Sequence, residues 1–202
     1  MEKFYLEEPS IERKEEAIEY IEEFYKYQSH IAGSGSLDRY LKDYSYEEWL
    51  KKLEVYKDKD SALENGWVHA VTYFLIRESD NKIIGMINIR LELNDYLRNF
   101  GGHIGYGIRP TERRKGYNKI NLYLGLLKCQ EFRLDKVMIS CNVHNLGSDK
   151  TIKAFDGELE KIEVDPNDNE LTNVYWIDVD KAIDKYCNQY ELYVSDKKVK
   201  VK

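Results

Sequence analysis

Between residues 103 and 143 the hydrophobic period of the chain changes twice, and this restricts the fold more than any other feature. Residues 103 to 109 read as a strand that follows a turn at Asn99 to Gly102 and stops at Pro110, which has no N–H to give to a sheet ladder. Beyond it Ile120, Tyr123, Leu124 and Leu127 recur at helical spacing, and Val137, Ile139, Cys141 and Val143 alternate at period two. Strand, helix and strand in this order predict a right-handed crossover, with 103–109 and 137–143 as parallel neighbours.

The flanking sequence extends this unit. Ile11, Ile18, Ile21, Phe24 and Tyr25 predict an amphipathic helix within 10–31, whose many glutamates face solvent. Ser45-Tyr46-Glu47-Glu48 has the serine and glutamate of a capping box ahead of Trp49, Leu50 and Leu53. Residues 67–77 and 83–92 are β-branched and aromatic around Glu78 to Lys82, which predicts an antiparallel hairpin. A short helix from about Ser148 to Phe155 and strands near 158–164 and 173–179 follow. We expect one domain over 1–180, then a C-terminal helix and a frayed basic tail, Lys197 to Lys202, within 181–202.

Composition excludes several classes. No apolar run approaches the roughly 18 residues needed to span a bilayer, and the N-terminus lacks a basic segment followed by an apolar one. Cys129, Cys141 and Cys187 are odd in number and at no metal-like spacing, so no metal site, no disulfide framework and a reducing cytoplasm are expected. Thirty-one basic against thirty-seven acidic residues give a net charge of −6, which argues against broad binding to nucleic acid. Basic residues nevertheless cluster at Arg109, Arg113, Arg114 and Lys115, a pattern suited to a small polyanion.

That cluster lies where the 103–109 strand passes through a glycine-containing loop into a helix. Unpaired N–H groups of a first helical turn favour an anion, Gly116 lets one approach the backbone, and the arginines and Lys115 add charge. Arg113-Arg114-Lys115-Gly116-Tyr117-Asn118 resembles the acetyl-coenzyme A binding motif of the GNAT acetyltransferase superfamily: Arg or Gln, two residues, Gly, one residue, Gly or Ala. Asn118 departs from the last position. The resemblance extends to a bacterial subgroup of predicted acetyltransferases through Gly33 to Leu37, Tyr44 to Leu50, Arg90 to Gly107, Asn145 to Ile152 and Tyr175 to Ile177, over roughly residues 1–178.

The resemblance implies an α/β GNAT acyltransferase fold: a mixed, mostly antiparallel sheet with one parallel, splayed strand pair, flanked by helices. It implies acetyl-coenzyme A as acetyl donor, with the pantetheine arm in the splay and the pyrophosphate on the amides of Arg114, Lys115, Gly116, Tyr117 and Asn118. Asn145 and Ser148 match polar positions that often contact the cofactor arm, although both also suit a helix cap. An N–H near Ile108 is suited to polarise the thioester carbonyl.

Many family members place a tyrosine, the proton donor to the leaving thiolate, where this chain has Ile152. Water, another tyrosine such as Tyr175, or unassisted thiolate release are the alternatives. Asp156-Gly157 also replaces paired glycines of the subgroup. Period two puts Asn88, Arg90 and Glu92 on one strand face, which makes Glu92 the first candidate for a general base and His103 the second, its ordinary pKa being near neutrality. Cys141 reads as packing, and Tyr40, Tyr44 and Tyr46 as a pocket wall or core. The resulting expectation is a cytoplasmic N-acetyltransferase in which a small amine attacks acetyl-coenzyme A directly in a ternary complex. Neither nucleic acid nor membrane is expected as a partner, and the sequence leaves room for a homodimer without specifying one. A coenzyme A binding or sensing protein without turnover is the alternative, with a generic phosphate-binding surface third.

Overall fold

The hairpin around Glu78 to Lys82 forms as its pattern predicts, β2 (Ala70–Arg77) pairing antiparallel with β3 (Lys82–Arg90). The computed structural model describes residues 1–197. β1 (Phe4–Glu7), a strand too short to stand out in the sequence, joins the outer edge of β2, and β4 (Ile104–Ile108) joins β3, giving the order β1-β2-β3-β4, antiparallel throughout. A second sheet has the order β5-β7-β6, built from β5 (Lys136–Asn142), β7 (Leu171–Asp178) and β6 (Glu158–Val164).

β2 and β3 are buried on both faces because helices cover each side. Phe74, Ile76, Ile83 and Met86 meet α1 (Lys14–Lys26), α2 (Leu37–Asp43) and α3 (Tyr46–Lys57), while α4 (Lys59–Glu64) continues from α3. The apolar stripe of α1 is Ala17, Tyr20, Ile21 and Phe24, leaving Ile11 and Tyr25 half exposed. The capping box at Ser45 forms in both directions: Glu48 donates its N–H to Ser45 Oγ at 3.2 Å and accepts the Ser45 N–H at 2.8 Å. On the other face Tyr73, Leu75, Ile87 and Ile89 pack with α5 (Tyr117–Glu131), α6 (Leu146–Lys153) and α7 (Val179–Tyr190).

Two expectations change. The strands expected as parallel neighbours, now β4 and β5, lie in different sheets and form no ladder among the described residues. What joins them is His103, whose N–H donates to the Met138 carbonyl at 2.7 Å and whose ring Nδ1 accepts the Met138 N–H at 2.9 Å, so a side chain takes a bond that a strand would otherwise take. β3 stops at Arg90, which puts Glu92 beyond the strand rather than on its face with Asn88 and Arg90. The expected C-terminal helix is α7, and it packs on the core. Tyr190 is buried 5.4 Å from the Tyr123 ring and 5.1 Å from Phe155, and the Ser195 N–H donates to the Phe4 carbonyl at 2.8 Å. Lys198 to Lys202 of the expected tail lie outside the described residues.

If α7 belongs to this core, Tyr190→Ala should destabilise the fold by about 3 kcal/mol through a cavity beside Tyr123 and Phe155. In urea the unfolding midpoint should fall with an unchanged slope, whereas an appendage would leave the midpoint in place.

Candidate active site

After β4 the chain makes a short 3-10 turn at Pro110–Glu112, extends at Arg113, and turns left-handed at Arg114 (φ 63°) and Gly116 (φ 84°) before α5 begins at Tyr117. The N–H groups of Arg114, Lys115, Gly116, Tyr117 and Asn118 meet no protein acceptor among the described residues. Five consecutive free donors at the positive end of a 15-residue helix are suited to an anion. A Cβ built on Gly116 would meet nothing within 4 Å, so the approach is open.

The basic side chains around it are largely engaged elsewhere. Arg109, expected at the cofactor, is fully buried against α1, with Nη1 3.2 Å from Glu19 and 3.5 Å from Glu23 and its guanidinium over the Tyr20 ring at 5.7 Å. Two acidic side chains and an aromatic face draw it away from the loop. Arg113 ties the loop down, donating from Nε to the Ile108 carbonyl at 3.0 Å and from Nη2 to Ser29 Oγ at 2.7 Å. Lys115 pairs at 2.8 Å with Glu112, whose carboxylate Arg77 also holds at 3.0 Å; desolvation opposes, but these cations keep Glu112 below its ordinary pKa. Arg114 is exposed, with no ion pair among the described residues. The free donors of the loop are backbone amides, and the side chains fix its shape.

The Arg109 N–H donates to Ile84 of β3, so by strand alternation the N–H and carbonyl of Ile108 point to the edge facing β5. That edge borders the start of α6. Asn145 Oδ1 accepts the Ser148 N–H at 3.1 Å, acting as the helix cap. Ser148 Oγ lies 2.9 Å from the phenol oxygen of Tyr106, which reaches it from β4. Asn118 Nδ2 donates to Thr151 Oγ1 at 3.3 Å, while its buried Oδ1 has no partner among the described residues. The contacts of Tyr106 with Ser148 and of Asn118 with Thr151 thus tie β4 and the start of α5 to α6, which Asn145 caps, and Arg113 ties the loop to Ile108, while Arg109 turns away to α1. Tyr106 was not singled out from the sequence. Its signal was its place between Gly105 and Gly107, whose bare face lets the loop at Gly33 (φ 75°) approach until a Cβ there would lie 2.5 Å from Tyr106 Cα.

The three catalytic candidates are not brought together. Glu92 is ion-paired with Lys59 of α4 at the surface. His103 is buried, and burial first, with Arg90 and Arg98 adding to it, pushes its pKa down to about 4. Its Nδ1 already accepts from Met138, so it serves as a neutral clip between β4 and β5. Tyr175 donates its hydroxyl to Asp149 at 2.5 Å. Asn88 and Arg90 are likewise occupied, Asn88 by Thr72 Oγ1 at 3.0 Å and Arg90 by the carbonyls of Gly101 and Gly102 at 3.0 and 2.9 Å. Ile152 is fully buried and apolar, and Asp156 closes its own loop with Lys185 at 2.6 Å. Burial pushes the Cys141 thiol up to about 11, which makes it a poor nucleophile.

The profile of the acetyltransferase (GNAT) family matches residues 36–167, more than half of the chain. No curated protein matches the sequence. Among solved structures, Mycobacterium smegmatis RimJ in complex with a coenzyme A disulfide is similar at TM-score 0.63 and 12% identity, covering 87% of this chain and 85% of its own. RimL, a ribosomal alpha-N-protein acetyltransferase in complex with coenzyme A, is similar at 0.60 and 16%, covering 88% and 96%. The microcin C7 self-immunity acetyltransferase MccE, in complex with acetyl-coenzyme A and AMP, is similar at 0.58 and 16%, covering 86% and 91%. At these identities the likeness establishes the fold.

The depressed pKa of His103 carries a pH signature. From its ordinary value of 6.5 down to about 4 the unfolded chain binds this proton and the folded chain does not, so stability should fall as the pH is lowered through that window. His103→Asn, which retains an acceptor for the Met138 N–H, should flatten that part of the stability profile. An imidazole that titrates near 6.5 by NMR in the folded protein would contradict the buried, neutral assignment.

Proposed function

The chain belongs to the GNAT acetyltransferase family, and from that premise we propose that it transfers an acetyl group from acetyl-coenzyme A to a primary amine of a small molecule or peptide. The observation that carries this reading is the row of unpaired N–H groups from Arg114 to Asn118 beside the open face of Gly116. A diphosphate offers the acceptor oxygens those donors lack. Acetyl-coenzyme A, when bound, supplies an activated thioester.

The chain's own contribution is mostly binding and orientation. Amides 114–118 hold the diphosphate, and the free edge of β4 offers N–H and carbonyl groups to an extended arm in the manner of an added strand. The Ile108 N–H on that edge is placed to polarise the thioester carbonyl. Asn145 and Ser148 flank the arm from α6, with Asn145 setting the helix terminus. The acceptor amine need only arrive neutral and in line, so positioning and its own deprotonation in water suffice. We assign no side chain as base, because the Glu92 carboxylate is held by Lys59 and His103 lacks a free accepting Nδ1. The described residues act as a single domain with α7 as its last helix, and the buried, unpaired thiols of Cys129 and Cys141 suit a reducing cytoplasm.

A second reading, coenzyme A binding without turnover, draws support from Ile152, which puts a buried apolar side chain where many relatives carry a phenol. Acceptor-dependent release of free thiol across a panel of amines separates the two, since only the enzyme produces it.

Acetyl-coenzyme A should raise the melting temperature in proportion to the logarithm of its concentration once above its dissociation constant. Gly116→Glu should abolish that shift while the variant still folds, because the new carboxylate projects into the anion site. An undiminished shift would place the diphosphate elsewhere. For the base, Glu92→Gln should keep kcat within about threefold of the parent at every pH, against the 10²- to 10⁴-fold loss that removal of a general base typically brings.

A further inference from the structure

Arg90 ends β3 beside β4, and one edge of its guanidinium has no partner. Nη1 donates to the carbonyls of Gly101 and Gly102. Nε and Nη2 meet no acceptor among the described residues and are open to solvent, whereas the same two atoms of Arg109 are sealed in the interior. Four arginines are not exposed, and three of them, Arg13, Arg77 and Arg109, pair with carboxylates. Arg90 pairs with none among the described residues. Burial pushes its guanidinium below the ordinary value, and the groups that offset this are the phenols of Tyr96 and Tyr56. Further positive charge nearby is also uncompensated. Lys52 of α3 holds its Nζ over the rings of Tyr40, Trp67 and Tyr56, at 4.5, 5.0 and 5.3 Å, with no carboxylate partner among the described residues. Burial, with Arg39 adding to it, pushes this ammonium down. Tyr56 stands between the two cations, since its ring faces Lys52 and Arg90 offsets part of the rise that burial causes in its phenol.

A Cβ built on Gly105 would lie 3.8 Å from Arg90 Nη2, so the bare side of β4 leaves the unpartnered edge next to the strand. On the opposite face Ile104, Tyr106 and Ile108 turn into the core. The Nε–H and Nη2–H of an arginine are parallel, and this fork matches the two oxygens of a carboxylate. We propose that Arg90 binds a carboxylate of the acceptor, so that the substrate is an amine carrying a carboxylate several bonds from its nitrogen, as in an ω-amino acid. The inference rests on the acetyl-transfer reading. Three residues of strand, about 10 Å, separate Gly105 from the Ile108 N–H assigned there to the thioester. A carboxylate held at Arg90 lets an extended methylene chain carry the amine along β4 toward that point. A diamine of the same length would instead bring a second ammonium to Arg90 and Lys52, where no carboxylate receives it.

The test compares amines of equal length that end in a carboxylate or a methyl group: γ-aminobutyrate with butylamine, and ε-aminocaproate with hexylamine. Each is measured twice, by thermal-shift titration in the presence of coenzyme A and by thiol release from acetyl-coenzyme A. In the parent at least one pair should favour the carboxylate by about tenfold in Kd and in kcat/KM, the scale of a charge-assisted fork. Arg90→Lys keeps a charge and a donor for the Gly101 and Gly102 carbonyls but has no fork, and should cut the ratio to about threefold. Arg90→Gln should bring it close to one, and if that variant does not fold, Arg90→Lys decides. A purely structural role would weaken both members of a pair together and leave their ratio intact. That result, or the absence of a preference in either pair for the parent, overturns the proposal. A carboxylate preference in binding without any thiol release would leave Arg90 as a carboxylate site and overturn the acetyl-transfer reading instead.

Discussion

The interruption between β4 and β5 is the constraint on which the rest of the molecule depends. An edge strand inside a protein carries backbone donors and acceptors that cost free energy if they stay dry and unpaired. Here the edge of β4 is held beside the second sheet by His103, which bonds Met138 through both its main chain and its ring. A charged imidazole could not accept the Met138 N–H, so the burial that keeps the ring neutral also keeps the two sheets joined. The clip acts at the start of β4 and leaves the backbone of Ile108, at its end, without a strand partner on that side.

Charge is organised around the same strand. The acidic face of α1, which in the sequence reads as a solvated surface, includes Glu19 and Glu23, and these hold Arg109 in the interior. Glu112, bound by Arg77 and Lys115, does the same for the loop. Much of the positive charge in the basic cluster is thus neutralised by the protein itself. The selectivity left to the loop comes from the direction of its amides, which suits one compact diphosphate and not a long polyanion.

Those features were legible in the sequence to different degrees, for physical reasons. The change of period around Pro110, the capping box at Ser45 and the hairpin at Glu78 to Lys82 are local patterns, and each formed where it was expected. The loop geometry was legible too, because a strand, a glycine and a helix N-terminus generate a row of free amides without help from distant residues. The direction of Arg109 was not, since it is set by Glu19 and Glu23, far earlier in the chain. Glu92 was misplaced by two residues at a strand end, the least determined part of any element, and that moved it to the surface beside Lys59. A C-terminal helix was expected and α7 forms, with Val179, Ala182, Ile183 and Tyr190 along one face; its docking beside Tyr123 and Phe155 was not legible, because such contacts leave no local pattern.

The join between Phe4 and the segment after α7 links residues far apart in the sequence. Phe4 of β1 accepts the N–H of Ser195, and Val194 bridges to the same residue, so the outer rim of the first sheet is completed by the segment that follows α7. Detachment of that segment would leave the outer edge of β1 with backbone groups open to pairing with another chain. The weak point for association thus lies on the opposite edge of the first sheet from β4, away from the loop at 114–118.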